Sequence, residues 1–208
     1  MKAPQIWVLV GLTVAIMAGA LMVRGHAVPL DYLTSSSYAV TGVSVALFLW
    51  ERWLWSARLF RPWLTTRPDL RGTWKGHLLS SWVDPETKQR RGKIEVYLVI
   101  RQTYSTIDVR LLTSESGSIS LSASIIEDRP DIHSVAVLYR NTPRVLLRQR
   151  SPIGHGGMLL YVRGPLIHQL DGEYWTDRNT KGELLLNARS PDYAHDFSRA
   201  AKAAYISG

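Results

Sequence analysis

The 208-residue sequence contains no cysteine, which excludes disulfide bonds, thiol nucleophiles and zinc sites built on cysteine. Its six histidines show neither the H-x-x-x-H nor the H-E-x-x-H spacing of metal-binding helices. The serines lack the nucleophile-elbow context of hydrolases. Because no convergent catalytic set is visible, we expect a protein that is not an enzyme and that carries neither a metal nor a cofactor.

Acidic residues are scarcer than basic ones, 17 against 25, and the formal net charge is +8. Residues 1–71 carry seven Lys or Arg against three acids, and residues 72–208 carry eighteen against fourteen, so each part has a net charge of +4. The first excess fits a membrane surface, whereas the second is too thinly spread for a nucleic-acid stripe. We therefore expect no DNA or RNA partner, while a small anionic ligand fits the composition.

Two stretches near the amino terminus, residues 6–23 and 32–50, contain no charged side chain. Each is close to the roughly 20 residues that a helix needs to cross the hydrocarbon core of a bilayer. The connection between them is long enough only for a turn, so the pattern predicts a two-helix transmembrane hairpin within residues 1–55. A secretory signal peptide is the alternative for the first stretch, because Ala18-Gly19-Ala20 resembles a cleavage site.

Basic residues follow the second stretch at Arg52, Arg58, Arg61, Arg67 and Arg71, interleaved with several tryptophans. The loop between the two stretches carries only Arg24. By the positive-inside rule, both chain termini face the cytoplasm. Basic and aromatic side chains at this density are typical of the headgroup layer, so residues 56–71 are predicted to form a juxtamembrane linker.

Small residues recur at a four-residue spacing in both stretches. They are Gly11, Ala15 and Gly19 in the first stretch, and Gly42 and Ala46 in the second. On a helix this spacing places small side chains on one face, where two helices can approach closely. Such a face either packs the hairpin on itself or joins copies of the chain during membrane assembly, and the sequence leaves both open.

From residue 72 onward the pattern changes to short alternating strands separated by turn residues. The predicted strands are 73–82, 93–103, 107–113, 118–126, 133–139, 145–148, 158–162, 170–176 and 183–188. Apolar residues alternate with polar ones at Ile94, Val96, Leu98 and Ile100, and again at Ile119, Leu121, Ala123 and Ile125. About eight antiparallel strands with one apolar face avoid exposed edges by closing, so we expect an eight-stranded β-barrel, with a β-sandwich as the alternative.

A short carboxyl-terminal helix is predicted to begin at Ser190-Pro191-Asp192. This string combines an N-cap, a first-turn proline and an acid near the positive end of the helix dipole. The apolar face of the helix would form a lid or plug against the barrel. Residues 72–208 are thus predicted to be a cytoplasmic β-barrel domain with a carboxyl-terminal helix.

Two segments, residues 101–105 and 170–184, combine aromatic, basic, hydroxyl and amide side chains. Arginine forms paired bonds to phosphate, aromatic rings stack on bases, and threonine or asparagine reads polar edges. These segments are the candidates for a ligand site. The structural alternative is that the aromatic residues belong to the core and that the charged residues only form turns.

Several features occur together in this chain: two hydrophobic stretches, an Arg- and Trp-rich junction, and the string Leu70-Arg71-Gly72-Thr73-Trp74-Lys75-Gly76 opening a β-rich domain. A further string, Gly-Glu-Tyr-Trp-Thr-Asp-Arg from residue 172, is followed by Thr-Lys-Gly-Glu-Leu. With these features the chain resembles the two-transmembrane, β-strand-rich effectors encoded beside cyclic-oligonucleotide synthases in bacterial CBASS antiphage operons. The resemblance covers nearly the whole chain.

The resemblance implies a two-pass protein of the bacterial inner membrane whose barrel binds a cyclic dinucleotide. Binding would promote homo-oligomers through the spans, disruption of the lipid bilayer and abortive infection. The residue chemistry then suggests Tyr174 or Trp175 for stacking, Arg101, Arg178 and Lys181 for phosphate, Thr103, Thr176 and Asn141 for base or ribose edges, and Tyr104 beside them.

Alternatives from other functional classes remain open on the sequence. The first is a membrane-tethered barrel that binds a lipid or another small ligand without killing the cell. A membrane-anchored hydrolase and a purely structural assembly protein are further alternatives. An apolar cavity would favour the lipid binder, while arginines and aromatic rings converging at one rim would favour the nucleotide sensor.

Overall fold

The computed structural model describes residues 11, 13, 15, 30–57, 59, 65, 67–84, 87–129, 132–163 and 167–207. The chain divides into two compact units, Met1–Arg67 and Pro68–Gly208. This boundary lies four residues before the barrel boundary that the sequence suggests.

The first unit contains helix α1, Leu30–Arg52, followed by a 3₁₀ turn, Leu54–Ser56. The helix confirms that the second hydrophobic stretch is helical, and it carries Gly42 and Ala46. Gly11 and Ala15 are also helical, whereas Gly19 and most of the first stretch lie outside the described residues.

Within the described ranges, no helix combines the length and the apolar character needed to cross a membrane.

In its described residues, the second unit contains eight main strands, a short helix and a two-residue strand. The main strands are β1 (Gly72–Ser80), β2 (Ile94–Gln102), β3 (Ile107–Leu112), β4 (Ser116–Arg129), β5 (Ile132–Pro143), β6 (Gly154–Arg163), β7 (Leu170–Thr176) and β8 (Lys181–Ser190). Helix α2 (Phe197–Lys202) and strand β9 (Ile206–Ser207) follow. Every strand pairs with its sequence neighbour in antiparallel fashion.

Strand β1 pairs with both β2 and β8, so the sheet closes into an eight-stranded barrel. This confirms the barrel prediction and excludes the β-sandwich. Strand β9 extends the sheet beside the last residues of β8, where Ala188 lies opposite Ser207.

The barrel interior is filled by alternate side chains of all eight strands. Trp74, Leu98 and Leu160 are fully buried there, and the inward face predicted for Ile94, Val96, Leu98 and Ile100 is confirmed. Eight strands enclose a space that side chains can fill, so ligand contacts are favoured at an end of the barrel rather than at its middle.

The face predicted for the first half of β4 is wrong, because this strand contains a β-bulge. The register against β5 shifts between Ser120 and Ser122. Ser118 is therefore buried and Leu121 is 53% exposed, whereas Ile125 packs against the core as predicted. A bulge adds one residue to one strand and reverses the alternation beyond it.

The strand predicted at 145–148 is also wrong, since Val145–Leu147 forms a 3₁₀ turn in which Val145 and Leu146 are exposed. The helix predicted from Ser190 begins later, at Phe197. Its N-cap is Asp196, whose carboxylate accepts a hydrogen bond of 2.8 Å from the Arg199 backbone N–H, and Ser190 instead ends β8.

Helix α2 is not a plug, because it packs on the outer wall of the barrel. Ala200 and Phe197 contact a cluster that includes the outward side chains of Tyr97, Val99 and Leu112. The Tyr97 and Phe197 rings meet edge to face with centroids 5.2 Å apart. This second apolar cluster holds the carboxyl-terminal segment against β2 and β3.

Candidate ligand-binding site

The two ends of the barrel differ in chemistry. One end, called the latched rim, contains residues 68–71, 103–106 and 191–196. The opposite end, called the polar rim, contains residues 81–84, 87–93, 113–115, 144–153 and 177–180. Antiparallel pairing places each group of connections at one end.

Residues 68–71 fill the latched rim from within. Leu70 is fully buried, and its backbone N–H donates to Gln102 Oε1 at 2.9 Å. Gln102 Nε2 donates in turn to the Pro68 carbonyl at 2.8 Å, and the Trp74 indole donates to the Leu70 carbonyl at 2.9 Å. Buried polar groups that satisfy one another are costly to separate, so this segment is fixed in place.

Charged groups surround that segment. Arg71 donates to both carboxylate oxygens of Asp69, at 2.9 and 2.8 Å, and Arg189 donates to the backbone carbonyls of Asp69 and Arg71. Burial alone would raise the pKa of Asp69, but hydrogen bonds and charge from Arg71, together with the charge of Arg189, hold it below its ordinary value.

The polar rim carries a ring of inward-facing hydroxyl and amide side chains, formed by Ser80, Ser118, Tyr139, Asn141, Tyr174 and Thr176. The Ser118 hydroxyl donates to Asn141 Oδ1 at 3.0 Å. The hydroxyls of Thr176 and Thr180 lie 2.6 Å apart. Asn141 and Thr176 are partly exposed, so polar groups at this end face solvent directly above an apolar interior.

Two glycines leave room for the aromatic rings of Tyr139 and Tyr174 at the polar rim. A Cβ atom at Gly156 would lie 2.5 Å from the Tyr139 hydroxyl oxygen, and one at Gly182 would lie 2.7 Å from the Tyr174 ring. The Tyr139 hydroxyl donates to the Trp175 carbonyl at 3.3 Å. The backbone itself therefore positions both tyrosines.

Burial raises the pKa of Tyr139 to about 12, assisted by Tyr174 and Asp177 and opposed by Arg178. Burial also raises the pKa of Tyr174, opposed by a hydrogen bond with Ser80. Both hydroxyls are therefore neutral at physiological pH and can donate or accept hydrogen bonds.

The outer edge of the polar rim is basic and aromatic. Arg178 Nη1 donates to the Ser151 hydroxyl at 2.6 Å, which joins the 177–180 turn to the 144–153 connection. Trp175 is 52% exposed, and its indole covers Gly157, where a Cβ atom would lie 2.3 Å from the ring. Trp175 alternates with the inward-facing Tyr174, so its indole offers a stacking surface on the outer wall of the barrel, while the Arg178 guanidinium offers a phosphate contact at the turn.

The family model for the Cap15 cyclic dinucleotide receptor domain matches residues 65–188, which is more than half of the chain. The chain belongs to this family. It is also 29% identical over 153 residues to CD-NTase-associated protein 15 of Staphylococcus schleiferi, covering 72% of this chain and 76% of that protein. The resemblance to CBASS effectors is thereby confirmed, and the barrel is a receptor domain of the Cap15 type.

In this Cap15-type barrel, the predicted site residues divide between the two ends. Asn141, Tyr174, Trp175, Thr176, Arg178 and Lys181 lie at the polar rim, and Arg101, Thr103 and Tyr104 lie at the latched rim. At the latched rim Arg101 stacks over the Tyr193 ring at 4.9 Å, and Thr103 Oγ1 lies 2.8 Å from Thr106 Oγ1. The role of either group in binding stays a prediction.

Sequence reasoning missed Ser80, Ser118 and Tyr139 at the polar rim. Tyr139 continues the inward face of Val135 and Val137, so its alternation was a usable signal. The alternation pattern of β4 predicts that Ser118 faces outward, but the bulge in this strand turns it inward.

Proposed function

We propose that this CBASS effector binds its cyclic dinucleotide at the polar rim and acts from the bacterial inner membrane. Family membership supplies the ligand class, since the matched domain is a cyclic dinucleotide receptor. The observation that carries the location is the ring of hydroxyl and amide groups above an apolar interior. At the opposite end, the buried Leu70 and its hydrogen bonds occupy the corresponding space.

The polar rim contains the three kinds of group that a cyclic dinucleotide requires. Trp175 presents an exposed ring on which a base can stack. Asn141 and Thr176 supply amide and hydroxyl groups for base or ribose edges. Arg178 in the 177–180 turn and Lys181, which pairs with Trp175 in the sheet, are exposed cations suited to the two phosphodiester groups.

We further propose that ligand binding leads to self-association through the amino-terminal unit and to disruption of the bilayer. Helix α1 exposes large apolar side chains, including Val40 at 66% and Phe48 at 62%. Exposed apolar surface of this kind needs lipid or another protein to cover it. Ligand would favour assembly only by binding the assembled state more tightly than the single chain.

The location is tested by calorimetric titration of the full chain, in neutral detergent, with a panel of cyclic dinucleotides. Arg178→Gln and Asn141→Ala should each weaken binding about ten-fold, because each removes a contact worth roughly 1–3 kcal/mol. Arg199→Gln, at an exposed arginine of α2, is the matched control and should leave the affinity unchanged.

Circular dichroism of each variant separates loss of contact from loss of fold. If Arg101→Gln weakens binding and Arg178→Gln does not, the ligand binds at the latched rim and the proposed location is wrong. If the wild-type chain binds none of the panel, the receptor proposal itself fails.

A further inference from the structure

A cleft of about 490 Å³ opens at the latched rim, away from the polar rim. Its walls are Asp69, Arg71, Ile167, His168, Arg189, Pro191, Tyr193 and Ile206. Volumes of this size are typical of sites for small ligands. Half of these residues, from Arg189 onward, lie beyond the 65–188 match, so family membership does not assign a role to the cleft.

One wall of the cleft has an excess of positive charge. Arg71 and Arg189 line it, and Asp69 is the carboxylate among its lining residues. Asp69 is paired with Arg71 at 2.8 Å, whereas its distance to Arg189 is 3.5 Å. Arg189 is held mainly by two backbone carbonyls and stacks over the Trp74 ring at 5.2 Å. Arg71 and Arg189 share the single Asp69 carboxylate, so this wall keeps a net positive charge.

The aromatic ring of Tyr193 extends this positive region. The guanidinium of Arg101 stacks over this ring, 4.9 Å from its centroid, and Tyr193 itself lines the cleft. The His168 side chain is exposed at the same opening. Two guanidinium groups thus line the cleft against one carboxylate, which leaves a net positive charge for an anion to meet.

The remaining wall is apolar and open to solvent. Strand β9 places Ile206 opposite Arg189, and the Ile206 side chain is 75% exposed. Pro191 and Ile167 continue this surface, and Ile167 also packs against the barrel core. A ligand that matches both walls carries an anionic group on one side and an apolar group on the other.

We propose that this cleft is a second binding site, which recognises a phosphate diester attached to an apolar group, as in an anionic phospholipid. The guanidinium groups of Arg71 and Arg189 bind the phosphate, and Ile206 with Pro191 contacts the first acyl carbons. The lipid source is favoured because Asp69 and Arg71 follow directly in the chain on the basic and aromatic residues 56–67. The site is independent of the cyclic dinucleotide site at the polar rim.

The experiment titrates the full chain in neutral detergent with two soluble probes and follows binding by calorimetry. One probe is dihexanoyl phosphatidylglycerol below its micelle concentration, and the other is glycerophosphoglycerol, the same phosphate diester without acyl chains. The lipid probe should bind more tightly than the bare diester, because only the lipid covers the apolar wall. Equal affinity for both probes would overturn the amphiphile assignment.

Two variants separate the two walls of the cleft. Arg71→Gln should lower the affinity for both probes about ten-fold, because it removes a charged donor to phosphate. Ile206→Ser should lower the affinity for the lipid probe and leave the affinity for the bare diester unchanged. Arg199→Gln on α2 is the matched surface control. Unchanged lipid affinity in Arg71→Gln would overturn the site.

Cyclic dinucleotide titration of the same samples makes the two proposals distinguishable. Retained dinucleotide affinity in Arg71→Gln shows that the barrel is folded and that the two sites are separate. Loss of dinucleotide binding in Arg71→Gln, with lipid affinity unchanged, would make the cleft the nucleotide site and overturn both assignments. If no cyclic dinucleotide binds but the lipid results hold, only the polar-rim proposal fails.

Discussion

Gly156 allows the Tyr139 ring to pack against the backbone of β6, because the ring occupies the space that a side chain at position 156 would need. A Cβ atom there would lie 2.3 Å from the Trp175 carbonyl oxygen and 2.5 Å from the Tyr139 hydroxyl oxygen. We expect Gly156→Ala to cost about 1–3 kcal/mol of unfolding free energy through overpacking. The matched control is Gly117→Ala on β4, since no described atom outside its neighbours lies within 4 Å of that Cβ. Equal urea midpoints for the two variants would contradict this account.

Tyr139 also makes the unfolding free energy of the barrel depend on pH in the alkaline range. The folded state keeps the Tyr139 proton up to a pKa of about 12, whereas the unfolded chain releases it near the ordinary value of 10. Its contribution is therefore complete below about pH 10 and is lost as the pH rises toward 12, by an amount on the order of 2 kcal/mol. Because pH 11 lies midway between the two pKa values, urea unfolding at pH 8 and pH 11 should show about half of this loss, and Tyr139→Phe should reduce it. An identical pH dependence in the variant would refute the assignment.

The bulge in β4 makes two similar isoleucines of one strand unequal. Simple alternation predicts that Ile119 and Ile125 face the core together, but the bulge leaves Ile119 37% exposed and packs Ile125 against the core. Ile119→Ser should therefore change the unfolding free energy by less than about 0.5 kcal/mol, while Ile125→Ser should cost about 1–2 kcal/mol. Denaturant unfolding of both variants measures the difference, and equal losses would place both side chains inside.

The strands were predictable from sequence where their pattern is strict, and the errors have local physical causes. The alternation of β2 is unbroken from Ile94 to Ile100, and its inward face was predicted correctly. In β4 a single inserted residue reverses the inward–outward alternation, and no residue type in the sequence indicates where this bulge lies. Ser190 resembles a helix cap, but it pairs with Thr73 of β1, and Asp196 caps the helix instead. Pairing across the sheet overrode local propensity at this point.

The candidate site was predictable as a set of residue types, but its location was not. The segments 101–105 and 170–184 have similar chemistry, and only the closure of the barrel shows that their polar residues end at opposite rims. The same closure reveals that residues 68–71 fill one end, because the contact between Leu70 and Gln102 joins positions 32 residues apart. Contacts of that separation leave no trace in a single sequence.

Assembly of the whole molecule is the property that the amino-terminal unit is predicted to supply. Gly42 and Ala46 lie four residues apart on α1, where a larger side chain would keep two helices apart. In vesicles containing the full chain, saturating cyclic dinucleotide should cause dye leakage, and Gly42→Leu should reduce it several-fold by blocking close helix contact. Ser44→Leu adds the same bulk on the opposite side of the helix and is the matched control.

Both helix variants should still bind the dinucleotide, because the polar rim belongs to the other compact unit. Gly42→Leu should lose only the part of the affinity that assembly adds. Cross-linking before and after ligand addition reports whether leakage follows self-association. Full leakage in Gly42→Leu, with the oligomers still formed, would show that this face does not join copies of the chain. Lost affinity in both variants would instead mean that α1 contributes to the ligand site, so that binding and assembly could not be assigned to separate units.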